Sequence, residues 1–367
     1  MESAIPEHLR THRTVPARIA QDYVTPYPAW TARPKPEVVQ MVMAYFGVQY
    51  DEKTNKALQP KALAAMNTIA AHLNDKTVKD PSSLTKHHDL THYVDEAGYH
   101  TYVVIAYWDS TEAYEHWSND PGVQKWWESL EALKDGLGYF REVFLPRSTH
   151  FETIFSTKDK LEGMVVVPGA DYSKEDIVEH GYWGSMRDRM PASQTDTLAA
   201  ADHAAPAILK STGPRVWIRG HDNVALIRSG QDWSQITGAE LKLYNEKIAP
   251  VLKKGMDFLC TPEGHKQGCY YNRFVRLINE KGVEDSRTFG VSAWKSMAQL
   301  EGWSAHHPTH VAIFGTFMEV VEELKGQLKL RLYHEVIVAQ SSEQRYEYIH
   351  CHAGTGMLRT VSTGAKL

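Results

Sequence analysis

Two histidine-bearing strings could do chemistry in this chain. One is Ser304-Ala-His-His-Pro-Thr-His310-Val-Ala-Ile-Phe314, where His307 and His310 stand three residues apart. The other is Leu330-Arg-Leu-Tyr-His-Glu-Val336, which sets His334 in an otherwise apolar run. Histidines at i and i+3 lie close on a helix, but neither HExxH nor CxxC accompanies them, so a zinc site is weakly supported. One imidazole facing an apolar space, without a second strong ligand, suits haem iron better. The CxxCH attachment string is absent, so such a haem would be held non-covalently. Cys260 and Cys269 are alternative thiolate ligands, although the Pro and Gly around them read as an exposed turn. His334 is either a satisfied core group or a site residue able to exchange a proton near neutral pH.

The elements that must position these residues form a faint repeat. His100-Thr-Tyr-Val-Val-Ile-Ala-Tyr-Trp108 reads as a strand, and a helix follows it, with Asp109 or Ser110 as N-cap and Glu112 in its first turn. Arg287 to Trp294 and then Lys295 to Trp303 repeat the pattern. In both copies a strand ends in Trp, and a second Trp comes nine residues later. Tyr139-Phe-Arg-Glu-Val-Phe144 parallels Leu332-Tyr-His-Glu-Val-Ile337, and Phe151-Glu-Thr-Ile154 parallels Tyr346-Glu-Tyr-Ile349. The second copy differs where chemistry is expected: His310 stands where the first has Gln124, and His334 where it has Arg141.

Strand, helix, strand and further strand suit a ferredoxin-like α+β unit. Two units packed sheet to sheet would enclose a barrel-like core with an apolar cavity. The expected division is an extended Pro- and Arg-rich arm over 1–36, a first repeat over 37–160, a central insertion over 161–265 and a second repeat over 266–367. Within the insertion, His180 to Arg189 reads as an ordered turn. Arg215–Arg219 and Asn223–Arg228 read as a hairpin, and Leu241–Leu259 as a helix.

Bulk properties exclude several classes. The chain has 367 residues, 42% hydrophobic and 23% charged, with a net charge of −5. That balance is globular and offers no electrostatic case for nucleic acid or an anionic membrane. The longest apolar run, residues 163–168, is too short to span a bilayer, and the first residues lack a signal-peptide pattern. Three cysteines fit a reducing cytoplasm better than a disulfide framework.

A longer series of strings carries a resemblance. It includes Pro26-Tyr-Pro-Ala-Trp30, Gly47-Val-Gln-Tyr50, His88-Asp-Leu-Thr-His92 and Gly136-Leu-Gly-Tyr-Phe-Arg-Glu142. It continues through His180-Gly-Tyr-Trp-Gly-Ser-Met-Arg-Asp-Arg189, Ile227-Arg-Ser-Gly-Gln-Asp-Trp233, Asn272-Arg-Phe-Val-Arg276 and the two histidine strings. In this order they resemble the aldoxime dehydratases, haem lyases that convert aldoximes to nitriles. The resemblance implies a dimeric α+β barrel fold related to chlorite dismutases and dye-decolorising peroxidases. It implies non-covalent haem b, ferrous in the active state, an aldoxime substrate and a homodimer. Carried over by residue, it makes His310 the proximal haem ligand and His334 the distal catalytic histidine. Ser229 would bond the oxime hydroxyl, and Arg189 and Glu152 would support His334. His307 is the alternative to His310, and Arg187 the alternative to Arg189. A peroxidase or chlorite-dismutase-like oxidoreductase is the alternative function on the same scaffold.

Overall fold

The computed structural model describes residues 1–53, 56–75, 81–167 and 170–361. Pro168, the end of the longest apolar run, lies outside them. Runs of β-branched and aromatic residues form the strands. They are β1 (Ala32–Arg33), β2 (Val42–Asp51), β3 (His87–Val94), β4 (Tyr99–Trp108), β5 (Gly138–Phe144), β6 (Phe151–Phe155) and β7 (Asp171–Tyr172). Then come β8 (Ala207–Thr212), β9 (Arg215–Arg219), β10 (Val224–Asp232), β11 (Cys269–Ile278), β12 (Glu284–Trp294), β13 (Arg331–Ala339) and β14 (Gln344–Ile349). All but β1 and β7 join one antiparallel sheet, in the order β6-β13-β10-β12-β11-β3-β4-β2-β5-β14-β9-β8.

Two four-strand blocks lie side by side in that order. The first reads β3-β4-β2-β5, the second β13-β10-β12-β11, the same arrangement seen from opposite ends. Helix α1 (Leu58–Leu73) links β2 to β3, and α2 (Thr111–Ser118) with α3 (Pro121–Ser129) links β4 to β5. The 185–189 stretch, expected as a turn, folds as a short helix, α4 (Ser185–Arg189). In the second block α5 (Gly238–Leu243), a π-turn at Tyr244–Ile248, α6 (Ala249–Leu259) and α7 (Pro262–Lys266) link β10 to β11. The expected 241–259 helix is thus continuous but widened, because Pro250 has no N–H to donate into the preceding turn. Helices α8 (Met297–His306) and α9 (Pro308–Glu323) link β12 to β13. The two strand-ending tryptophans precede matching caps: Ser110 accepts from the Ala113 N–H, and Ser296 from the Gln299 N–H.

Each block passes its next strand to the other. β6 follows the first block but pairs with β13, and β14 follows the second but pairs with β5. The expected hairpin of 215–219 with 223–228 does not form. β9 pairs with β14 and β8, whereas β10 pairs with β12 and β13. Two short strands flanking Gly220-His-Asp look locally like a hairpin, but long-range ladders outbid the turn.

The sheet curls so that one face lines a shared interior. Met43, Tyr45, Val103, Ile105, Phe140, Leu226, Val275, Val291 and Ile337 pack there together. The opposite faces are covered by helices, α1–α3 over the first block and α6 and α8 over the second. The interior is not an apolar cavity. Arg228 bonds Asp89, Glu335 and the Tyr107 hydroxyl, and Arg273 makes a two-pronged pair with Glu142 at 2.7 and 2.6 Å. Two buried charge networks therefore occupy much of the interior expected to be apolar.

Candidate active site

The outer face of the second block carries it. Along β10, Leu226 and Arg228 point inward, so Ile227 and Ser229 point outward by the two-residue period. Ser229 is the ladder partner of His334 on β13 and of Gly290 on β12. Directly opposed residues on one face hold their Cβ atoms about 4.5–5.5 Å apart. Serine and histidine thus stand side by side, both half-buried. A Cβ at Gly290 would lie 2.7 Å from Met256 Sδ, so the glycine lets α6 close in beside Ser229.

His334 is held from two sides. Its Nε2 lies 3.1 Å from Glu152 Oε1 and 2.9 Å from Arg189 Nη2. Arg189 also donates from Nε to Glu152 Oε2 at 2.6 Å and from Nη1 to the Glu179 carbonyl at 2.8 Å. Burial works to raise the Glu152 carboxyl, but the Arg189 guanidinium and His334 outweigh it and hold it below the usual range. Glu152 reaches this place only because β6 crosses to β13.

The facing wall is α9. His307 is its N-cap: Nδ1 accepts from the Thr309 N–H at 3.3 Å, and the ring stacks on Phe258 at 4.0 Å. His310 lies one turn in, between the ring edges of Trp303 at 4.7 Å and Trp183 at 5.9 Å. Burial, with the charge of His334 adding to it, drives this imidazole down to about 4, so it is a neutral nitrogen donor at pH 7. Helix α9 packs mainly on α6 and α8. Ile313, Phe314 and Phe317 continue the His310 side of α9 and are half-buried, as are Ile227 and Leu332 on the sheet.

A porphyrin iron needs one strong axial nitrogen and flat apolar walls. A neutral imidazole on a helix, with half-buried aliphatic and aromatic side chains on both walls, fits that need. Among the described residues no three His, Cys, Asp or Glu side chains are placed to hold a bare metal ion. The thiols do not compete. Cys269 is buried rather than in an exposed turn, and burial pushes Cys260 up to about 11.

Glu152, Arg189, Ser229 and His334 come together by contact or ladder pairing, and His310 comes close enough to His334 for that charge to be felt. Arg187 does not: it turns to Glu301 on α8. Sequence reasoning missed Trp183, Trp303 and Tyr27. Tyr27, from the N-terminal arm, meets His180 at 5.1 Å and Phe317 edge-on at 6.4 Å. Only the i, i+3, i+7 spacing of His310, Ile313 and Phe317 carried a readable signal for this wall. No helix among the described residues is long and apolar enough to cross a membrane.

The chain has relatives of known activity along nearly its whole length. The family model for haem-containing dehydratases matches residues 44–357. An aliphatic aldoxime dehydratase of Rhodococcus globerulus is 46% identical over 98% of both chains. A phenylacetaldoxime dehydratase of Bacillus sp. (strain OxB-1) is 32% identical over 90% of both. A crystal structure of an aldoxime dehydratase in complex with butyraldoxime superposes with a TM-score of 0.90 at 44% identity, covering 98% of this chain and 97% of that one. With a family model over most of the chain and relatives along nearly all of it, this protein belongs to the haem-containing dehydratase family.

Proposed function

We propose that this chain is an aldoxime dehydratase, a lyase that converts R–CH=N–OH to R–C≡N and water on a non-covalently bound haem b. When bound, a haem would supply a Lewis-acidic iron for the oxime nitrogen and electron density to weaken the N–O bond. His310 holds that group from α9. The single observation that carries the reading is the Glu152–His334–Ser229 line-up on the outer face of β10 and β13.

The protein's part is proton management. His334 Nε2 is engaged by the protein in either form of the ring: it accepts from Arg189 Nη2 at 2.9 Å, and when protonated it faces the Glu152 carboxylate at 3.1 Å. Nδ1 is then the atom that exchanges protons. In the imidazolium form Nδ1–H donates to the oxime oxygen, which leaves as water rather than hydroxide. The neutral Nδ1 next accepts the proton from the substrate carbon, and the histidine ends as it began. Ser229, beside His334 on the ladder, donates to the oxygen and keeps it in line. The higher identity to the aliphatic enzyme favours aliphatic aldoximes as the preferred class.

Three further readings belong here. The blocks 42–144 and 224–339 have the strand order of ferredoxin-like repeats, which begins the second repeat well before residue 266. A homodimer is supported by β8, a free sheet edge with every residue exposed, including Ile208 and Leu209. Three unpaired cysteines favour the cytoplasm. The test of function mixes dithionite-reduced protein, without oxygen, with butyraldoxime and with phenylacetaldoxime. Nitrile is expected from at least one. Turnover only with peroxide or chlorite would overturn the reading.

A further inference from the structure

We propose that the Arg187–Glu301 ion pair is a positioning device for His310, setting how far the α8–α9 hairpin stands from the Ser229–His334 wall. The proposal rests on the reading of His310 as the haem ligand.

Three consecutive residues of α4 go to three different parts of the molecule. Arg189 goes to Glu152 and His334 on the sheet. Asp188 accepts from the Arg18 N–H at 2.8 Å and the Ile19 N–H at 3.1 Å, tying down the N-terminal arm. Arg187 goes to α8. Its Nε lies 3.1 and 3.2 Å from the two Glu301 oxygens, and its Nη2 donates to Oε2 at 2.7 Å. Its Nη1 donates to the Thr197 carbonyl, and Arg18 Nη1 adds a second cation 3.1 Å from Glu301. Both side chains of the central pair are buried, at 8% exposure each.

This pair is well placed to act on His310. Glu301 lies two residues before Trp303, whose ring edge meets His310. Trp183, just upstream of α4, meets the same imidazole from its other side. One short helix thus grips the distal histidine through Arg189 and the hairpin bearing the opposite histidine through Arg187. A planar guanidinium bonded by two edges fixes distance and orientation together, which a lysine cannot do. Because α9 packs mainly on α6 and α8, a slip of α8 shifts His310 across the cleft.

The test uses the haem-loaded protein and measures haem transfer to excess apomyoglobin and the iron–histidine stretching band. Glu301→Gln and Arg187→Lys are expected to lose haem about 10- to 100-fold faster and to shift or broaden that band. Glu301→Asp should fall between them and the parent. Arg187→Lys keeps the charge, so it carries the test should Glu301→Gln fail to fold. Glu142→Gln breaks a buried pair of the same kind in the sheet interior. It should lower the unfolding midpoint and leave haem transfer unchanged. Parental haem transfer in Arg187→Lys, or equal acceleration in Glu142→Gln, overturns the proposal. His310→Ala separates the two ideas: if it keeps its haem, the ligand reading itself has failed.

Discussion

Ser229 and His334 are direct ladder partners on the outer face of β10 and β13, and their neighbours Arg228 and Glu335 are ladder partners on the inner face. The pair proposed to act on substrate is therefore backed by a buried ion pair in the same register. A one-residue slip would exchange the two faces and remove the site altogether.

Breaking the inner pair should show in stability before chemistry. Glu335 accepts from the Met164 N–H at 3.1 Å as well as pairing with Arg228. Glu335→Ala is expected to lower the unfolding free energy by about 3–5 kcal/mol, since it strands a buried guanidinium's partner site. Urea unfolding of the apoprotein measures this. Ser229→Ala should cost less than about 1 kcal/mol on the same scale.

On activity the order reverses. His334→Ala is expected to lower kcat by about 10²–10⁴-fold, the usual worth of general acid–base help, while the Soret absorption stays. Ser229→Ala should lower kcat by about 10-fold or more. Steady-state kinetics with absorbance-matched holoenzyme decides it; an active His334→Ala protein rules the histidine out as the proton carrier.

The two histidines of His-Pro-Thr-His should behave differently. His307→Ala removes a cap and should weaken the start of α9 by about 1 kcal/mol without abolishing haem binding. His310→Ala should abolish it. Hemin titration followed in the Soret region distinguishes them, and loss of haem in the His307 variant alone would reverse the assignment.

Acid should unfold the apoprotein through its buried histidines. Burial, aided by Arg147, pushes His150 to about 4, and burial, aided by Arg189, does the same to His180. Their folded values lie below the ordinary 6.5. The unfolded chain therefore takes up protons first, and stability falls as pH drops from about 6.5 towards 4. Glu152, held low by Arg189, adds loss of the same sign below about 4.5. The urea midpoint against pH should be flat above 6.5 and steep below it, and His180→Gln should make it shallower.

Much of this was legible. The Trp108/Trp117 and Trp294/Trp303 pairs mark strand–helix corners because a buried indole at the strand end packs on the next one a helix later, at 5.2 and 5.6 Å. The replacement of Arg141 by His334 singled out the half that carries the proposed site. In the first block the place of Ser229 is taken by Phe46, packed on Trp117 and Trp127, with Arg141 lying over Trp127. The same corner is sealed there and lined for a ligand in the second block. What could not be read is long-range pairing. Apart from the adjacent β8, the partners of β9 and β10 are β12, β13 and β14, far along the chain from their turn, and nothing near Gly220 encodes them. The split of Arg187 and Arg189 between two partners was equally hidden, since residues two apart on a helix point to opposite sides.

The crossing of β6 has a practical corollary. Glu152 is made with the first half of the polypeptide yet serves the second, so the gene has no seam at which it can be divided. A fragment ending near residue 160 would keep a helper it cannot use and expose the flank of β5. A fragment starting there would own both histidines and lack the carboxylate that steadies one of them. Co-expressed halves should regain their chemistry only by trading these end strands, as interlocked pieces rather than neighbours.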